Sequence, residues 1–185
     1  MDGIGLGMDG RRNPLRPWVW GMAAGVLALP ALAMRWLPQA GVDWSGGDFL
    51  AMGALLAIAC GMYELGARAS GDRAYRAGFG LAVLAGLLTV WANLAVGMLG
   101  DSDDPANLLF AGVLAVAALG ALAARLRAPG MARAMAAAGA AQLLAVGIGI
   151  AIGGYRANEL LFSAGFALPW LGAALLFRHA AGAAR

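Results

Sequence analysis

Several polar side chains that could bind a ligand lie inside long apolar stretches of the sequence. One stretch contains Thr89, Trp91 and Asn93, a second contains Gln142, and a third contains Trp170. All five residues lie far from the ends of their stretches. An amide or an indole N–H surrounded by apolar atoms requires a hydrogen-bonding partner. Such groups either join helices to one another or bind a ligand. These five are therefore the candidate ligand-binding residues of the chain.

A second group of polar residues fills the gap between two apolar stretches. Asp101, Asp103, Asp104 and Asn107 all fall within this short segment. Their oxygen atoms could hold a divalent cation on the external side. Alternatively, Asp104 followed by Pro105 is typical of a helix start, where a carboxylate caps free backbone N–H groups. An external cation site and helix capping are thus two interpretations of the same residues.

Few residues of this sequence could carry out catalysis. His179 is the only histidine and stands at the end of the last apolar stretch, so Cys60 and Ser163 have no imidazole at their depth. One histidine and one cysteine cannot form a zinc site. We therefore expect no catalytic residues, no metal site and no cofactor, and the protein is predicted not to be an enzyme.

Six apolar stretches must position these residues. The chain has 185 residues, is 62% hydrophobic and 12% charged, and has a mean hydropathy of +0.75, which is too apolar for a soluble domain. The predicted spans are 18–37, 49–65, 78–100, 106–124, 134–152 and 160–177. Each has roughly the 20 residues that a helix needs to cross a membrane. The predicted fold is an all-α membrane protein, with six transmembrane helices over residues 18–179, an N-terminal segment 1–17 and a tail 180–185.

The distribution of charges predicts how these helices cross the membrane. All basic residues are arginines, and eleven of the thirteen lie before the first span, in the second and fourth gaps, or after the last span. They are Arg11, Arg12, Arg16, Arg68, Arg73, Arg76, Arg125, Arg127, Arg133, Arg178 and Arg185. Acidic residues fill the other gaps, so the positive-inside rule places both termini in the cytoplasm. Anionic headgroups explain the basic balance, and we expect membrane lipids as partners and no nucleic acid.

Glu64 is an acidic residue near the end of the second predicted span. Arg68 follows four residues later, on the same helix face and in the favourable order of acid before base. Two interpretations are open. Glu64 either forms an ion pair at the membrane interface or is a functional carboxylate that handles protons within the span.

The second and third pairs of spans share short sequences. LAVG at 94–97 recurs at 144–147, LLF at 108–110 recurs at 160–162, and LGA at 119–121 recurs at 171–173. Offsets of 50 to 52 residues indicate one copied helical hairpin, and the first pair of spans is a fainter copy. Because every copy starts on the same side, three parallel hairpin repeats are expected around an axis along the membrane normal.

Three segments of the chain carry a resemblance to known proteins. They are YELGAR at 63–68, VWANLAVGMLGDSDDPANLLFAGVLAV at 90–116 and ARLRAPGMARAM at 124–135. Through them the chain resembles a family of uncharacterised small bacterial integral membrane proteins with six helices. The resemblance implies a multi-pass protein of the bacterial inner membrane with an external loop of the Asp/Asn-Pro-Ala-Asn kind. It implies no activity.

The predicted function is the binding or passage of a small neutral or apolar solute. This prediction depends on the repeated hairpins, on the deep polar group of Trp91, Asn93 and Gln142, and on the helix kinks expected at Pro30 and Pro169. The alternative is a non-catalytic accessory or scaffold subunit of a larger membrane complex. Faces rich in alanine and glycine favour that alternative, because they allow close contact with a second copy or with other subunits.

Overall fold

The computed structural model describes residues 15–183, which form helices joined by short connections. The helices are α1 (Arg16–Trp36), α2 (Gly46–Ala69), α3 (Arg73–Ala95), α4 (Leu108–Ala123), α5 (Ala128–Ile152), α6 (Ala157–Gly165) and α7 (Ala167–Ala183). Single 3₁₀ turns occur at Pro38–Ala40 and Pro105–Asn107, and the described residues contain no strand. The predicted cytoplasmic arginines Arg11, Arg12 and Arg185 lie outside the described residues.

Six segments are long and apolar enough to cross a membrane, with α6 and α7 together forming the last. The predicted all-α architecture with six such helices is therefore confirmed over residues 15–183. The third span is shorter than predicted, because α3 ends at Ala95 and not at residue 100. Gly97 and Gly100 adopt φ angles of +76° and +66°, a conformation that ends the helix and that glycine adopts without strain.

Pro169 interrupts the last span, as its position predicts. Proline has no N–H to donate to the carbonyl of Gly165, and its ring clashes with that carbonyl. The span is accordingly divided, with α6 ending at Gly165 and α7 beginning at Ala167. Pro30 has a different effect, because α1 continues through it without a break.

The chain divides into two compact units, residues 1–68 and 69–185. In unit 1, Glu64 Oε1 accepts a hydrogen bond from Trp20 Nε1 at 2.6 Å and lies 3.0 Å from Arg16 Nε. Glu64 Oε2 lies 3.6 Å from a guanidinium nitrogen of Arg68, which confirms the predicted pair. Of the two interpretations of Glu64, the structure supports the ion pair at the helix ends, to which α1 contributes an arginine and an indole.

Unit 2 contains α3 to α7. Within it, α5 packs against both α4 and α7, and α7 also packs against α3. Glycine and alanine form the crossing of α4 and α5. A Cβ added to Gly120 would lie 2.7 Å from the Cβ of Ala134, and one added to Gly130 would lie 2.6 Å from the Cβ of Ala124. The two helices are therefore in contact almost backbone to backbone.

The two ends of unit 2 carry opposite charges. The arginine end has Arg73, Arg76, Arg125, Arg127, Arg133 and Arg178 alongside Asp72, and the acidic end has Asp101, Asp103, Asp104 and Glu159 alongside Arg156. At the arginine end the Tyr75 hydroxyl donates to the Leu126 carbonyl at 2.6 Å, which joins the start of α3 to the connection between α4 and α5. At the acidic end the Tyr155 hydroxyl donates to Asp104, which joins the connection after α5 to the connection before α4.

Candidate functional site

The fully buried polar side chains of unit 2 are Thr89, Gln142 and Ser163. Gln142 Nε2 on α5 donates to the Ser163 carbonyl on α6 at 2.8 Å, and Ser163 Oγ donates to the Met98 carbonyl. In an unbroken helix the Ser163 carbonyl would accept from the N–H four residues later. Where α6 ends, this carbonyl accepts instead from Phe166 N, three residues later, at 3.3 Å, as well as from the Gln142 amide. A polar contact between α5 and α6 thus lies deep in the unit, at the helix break of the last span.

Trp170 lies near the start of α7, with its side chain beside two glycines. A Cβ added to Gly86 of α3 would lie 3.9 Å from Trp170 Cη2, and one added to Gly139 of α5 would lie 3.6 Å from Trp170 Cβ. The missing side chains at these positions leave room for the indole. Trp170 is 2% exposed, and its Nε1 has no hydrogen-bonding partner among the described residues. This N–H is therefore a candidate donor to a bound molecule.

Thr89 and Asn93 lie on one face of α3, as their spacing predicts. Thr89 Oγ1 donates to the carbonyl of Ala85 at 2.8 Å, and Asn93 Nδ2 donates to the carbonyl of Thr89, also at 2.8 Å. Both side chains thus bond to the preceding turn of their own helix. Asn93 Oδ1 is buried and has no partner in the described part of the chain. It is a candidate acceptor for a bound molecule.

Asn93 Oδ1, Gln142 Oε1 and Trp170 Nε1 are three buried polar atoms with no partner among residues 15–183, and we name them the unpaired polar atoms. Gln142 lies one turn beyond Gly139, and Asn93 two turns beyond Gly86, the glycines beside the Trp170 side chain. The set therefore extends over about 10 Å along the helices. It offers two acceptors and one donor, and none of these groups ionises. The arrangement suits hydrogen bonding to a neutral molecule and provides no acid, base or nucleophile.

Trp91 is placed apart from this set. Its side chain is 42% exposed, because the buried face of α3 passes through Thr89 and Ala92. The structure thus places Asn93, Gln142 and Trp170 inside unit 2 and Trp91 on an exposed face. The sequence could not separate these two tryptophans, since both lie far from the ends of their spans.

Residues 96–107, which we name the cap segment, fold back onto the acidic end of unit 2. Asn107 Oδ1 accepts from the backbone N–H groups of Met98 and Leu99 at 2.9 and 3.0 Å. Both of these side chains are fully buried. A Cβ added to Gly149 of α5 would lie 2.9 Å from Leu99 Cδ1. The cap segment therefore closes this end of the unit, and Asn107 holds it in place.

The carboxylates near Asn107 serve the backbone. Asp104 Oδ1 accepts from Ala106 N at 2.8 Å, which confirms the predicted helix cap, and Asp101 Oδ1 accepts from Asp103 N at 3.2 Å. Over residues 15–183, no group of three or more His, Cys, Asp or Glu side chains is arranged to hold a metal ion. Capping is thus shown for Asp104, and an external cation site stays a prediction.

Tyr155 binds the same capping carboxylate. Its hydroxyl lies 3.1 and 3.2 Å from the two carboxylate oxygens of Asp104. The pKa of Tyr155 is raised above its ordinary value, first by desolvation of the phenol and then by the hydrogen bond to Asp104. The phenol is consequently protonated at neutral pH and acts as the donor in this contact.

Sequence analysis did not select Ser163 or Tyr155 as site residues. Ser163 lies six residues before Pro169, whose missing N–H frees the carbonyl of Gly165 and not that of Ser163, so no local pattern indicated it. Tyr155 follows Gly153 and Gly154 in a connection, and no local pattern links it to Asp104. Its partner is set by the packing of α5 against α4, which the spacing of residues along the chain does not indicate.

Comparisons with known proteins do not extend this description. No family model matches the chain, and no curated protein or solved structure is significantly similar to it. The polar residues of unit 2 are therefore the available indication of function.

Proposed function

We propose that unit 2 binds a small neutral solute that has both hydrogen-bond donors and an acceptor. The observation that supports this proposal is the set of unpaired polar atoms on Asn93, Gln142 and Trp170. A buried polar atom that stays unpaired costs about 1–3 kcal/mol. A solute with hydroxyl or amide groups would satisfy all three atoms, whereas a purely apolar molecule would satisfy none. The absence of an ionisable group from the set favours a neutral solute.

The proposed route to this site starts at the acidic end. An open pocket of about 430 Å³ lies there, lined by Val96, Gly97, Met98, Gly100, Asn158, Glu159 and Phe162. Met98 also accepts the hydrogen bond from Ser163, so one residue of the cap segment separates the pocket from the buried polar side chains. Gly97 and Gly100 lie on either side of Met98 in the sequence, and both have positive φ angles. Passage of a solute would require the cap segment to move, and these glycines give the backbone the necessary freedom.

Substitution of Asn93 by leucine tests the proposed site. Asn93→Leu removes the unpaired acceptor together with the hydrogen bond that the amide donates to the Thr89 carbonyl, so we expect stability to change by no more than about 1 kcal/mol. We expect the amount of co-purifying solute to fall about tenfold or more. The measurement is mass spectrometry of small molecules extracted from protein purified in mild detergent.

Trp91→Leu provides the matched control for this experiment. Trp91 lies on the same helix but is 42% exposed, so its loss should leave the retained solute unchanged. If Asn93→Leu retains as much solute as the wild type, the site is not where we propose it. If Asn93→Leu instead unfolds the protein or breaks an oligomer, and no solute accompanies the wild type, the polar groups join helices. The accessory-subunit alternative would then be preferred.

A role as an accessory or scaffold subunit is the second candidate function. The observation in its favour is the open space beside glycines that are spaced for helix contact. A Cβ added to Gly21 or Gly25 of α1 would have no atom within 4 Å, and no residue of α1 is buried. A face of this kind can accept a helix of a second copy or of another membrane subunit.

We also propose that the protein resides in the bacterial inner membrane with both termini in the cytoplasm. The support is the uneven division of charge between the two ends of unit 2, with six arginines and Asp72 at one end and four acidic residues and Arg156 at the other. The resemblance to small bacterial membrane proteins supports the choice of membrane. Under this proposal the arginine end faces the cytoplasm and the cap segment faces outward.

Reporter fusions test this orientation. Fusions after residue 185 and within connections 69–72 and 124–127 are expected to report a cytoplasmic location. Fusions within connections 41–45 and 101–104 should report an external location. An external reading at residue 185 with an internal reading at 101–104 would reverse the orientation and contradict the proposal.

Finally, we propose that the hairpin α3–α4 and the hairpin formed by α5 with α6 and α7 are copies of one unit. Two helix contacts support this proposal, because Gly78 approaches Leu176 while Gly130 approaches Ala124. At an offset of 52 residues, which is among those seen in the sequence, positions 78 and 124 of the first hairpin correspond to positions 130 and 176 of the second. Exchanging the two hairpins therefore turns each of these contacts into the other. The LAVG repeat gives no such support, since its first copy ends in the turn at Gly97 and its second lies within α5. The first hairpin, in unit 1, is proposed as the third parallel copy on its sequence.

A further inference from the structure

A groove at the arginine end of unit 2 contains two arginines from different helices. Arg133 lies on α5 and Arg178 on α7, and the groove between them has a volume of about 600 Å³. Its other lining residues are small and uncharged, among them Ala132, Ala136 and Gly182. The groove is therefore a recess with a positive rim and an apolar floor.

Neither arginine of this groove has an acidic partner in the described part of the chain. Ion pairs join Arg16 and Arg68 to Glu64, and Arg156 to Glu159. No aspartate or glutamate lines the groove. An arginine within a membrane-length helix is costly unless its charge is paired or reaches the headgroups. Both arginines are exposed and lie near helix ends, where an anion from outside the chain can pair with their guanidinium groups.

The two arginines leave their helices at nearly the same level. α5 and α7 run antiparallel and touch where a Cβ added to Gly139 would lie 2.8 Å from Leu171 Cδ2. Toward the arginine end, Arg133 lies six residues before Gly139 on α5, and Arg178 lies seven residues after Leu171 on α7. These separations correspond to about 9 and 10.5 Å. Both arginines therefore border the same groove at a similar depth.

An apolar strip leads from the arginine pair toward the middle of α7. Leu171, Leu175 and Arg178 follow one another at spacings of four and three residues and lie on one face. Leu171 is 38% exposed and Leu175 is 62% exposed. A ligand that fits has a phosphate at one end and a hydrocarbon chain at the other. We propose that this groove binds one anionic phospholipid, with its phosphate between Arg133 and Arg178 and an acyl chain along the two leucines.

Titration of the purified protein with phosphatidylglycerol, with phosphatidylcholine and with inorganic phosphate tests this proposal. Binding is measured by native mass spectrometry of the intact chain in neutral detergent. We expect selective retention of phosphatidylglycerol by the wild type. Arg133→Gln and Arg178→Gln should each weaken that binding about fivefold, the contribution of one arginine near a membrane surface. Arg73→Gln, at the start of α3 and outside the groove, should leave it within about twofold.

Three results would overturn the proposal. An equal loss of binding in Arg73→Gln would indicate a diffuse positive surface in place of a site. Equal retention of phosphatidylcholine would remove the role of the anionic headgroup, and displacement of the lipid by millimolar inorganic phosphate would identify a free anion as the ligand.

Arg133→Lys and Arg178→Lys keep the positive charge, and they replace the glutamine variants in this test if those variants do not fold. Both lysine variants should still prefer phosphatidylglycerol, and loss of that preference in them would also contradict the proposal.

Discussion

Replacement of Asn107 by alanine is expected to lower the free energy of unfolding by about 2–4 kcal/mol and to release the cap segment. Asn107 accepts hydrogen bonds from the N–H groups of Met98 and Leu99, and its Nδ2 donates to the Asp101 carbonyl at 2.6 Å. Met98 and Leu99 are 1% and 0% exposed, so Asn107→Ala would leave their N–H groups buried and unpaired. Thermal unfolding in detergent measures the first effect. Hydrogen exchange of residues 96–107 measures the second.

Asn158→Ala provides the matched control for the Asn107 variant. Asn158 precedes the second LLF sequence as Asn107 precedes the first, but it is exposed. Its loss should change the free energy of unfolding by less than about 0.5 kcal/mol. Slow exchange of the Met98 and Leu99 amides in Asn107→Ala would show that this side chain does not hold the segment. Faster exchange together with faster loss of a bound solute would connect the cap segment to the proposed route.

Gly120→Val is expected to lower the free energy of unfolding by about 3 kcal/mol. The position of a Cβ at residue 120 is 2.7 Å from the Cβ and 3.2 Å from the Cα of Ala134. An alanine has no flexible side chain that could move aside, so α4 and α5 must separate along their crossing. Thermal unfolding of the purified variant, compared with the wild type, measures this loss.

Gly112→Val is the control for overpacking at the α4–α5 crossing. Gly112 lies on the same helix, and a Cβ there would have no atom within 4 Å. The same change of residue type should therefore have little effect on stability at this position. If both variants lose stability equally, the loss reflects a general intolerance of α4 to valine, and the close α4–α5 contact is not its cause.

The helices of this protein were largely predictable from its sequence because apolar length is a local property. The six spans, the break at Pro169 and the cap at Asp104 each follow from a few neighbouring residues. The end of α3 was placed too late, since the apolar run continues through Leu99. In the structure this leucine is still buried, but within the cap segment and not in a helix. Hydropathy alone does not distinguish a buried turn from a helix end.

The candidate site was predictable only in part, because it depends on which helix faces meet. Asn93, Gln142 and Trp170 were selected for their depth in apolar stretches, and all three lie inside unit 2. Trp91 has the same depth but is exposed, and the choice between the two tryptophans is made by the packing of α3 against α7. Ser163 accepts a hydrogen bond from Gln142 across 21 residues of sequence, and this contact is set by the packing of α6 against α5.

The most direct test of the proposed function is an experimental structure of the protein in lipid nanodiscs that shows ordered water and small molecules. We predict density for a solute within about 2.7–3.2 Å of Gln142 Oε1 and Trp170 Nε1. Its donors should face the amide oxygens, and its acceptor should face the indole. An interior in which Asn93, Gln142 and Trp170 bond to one another, with no density between them, would contradict the proposal that unit 2 binds a solute.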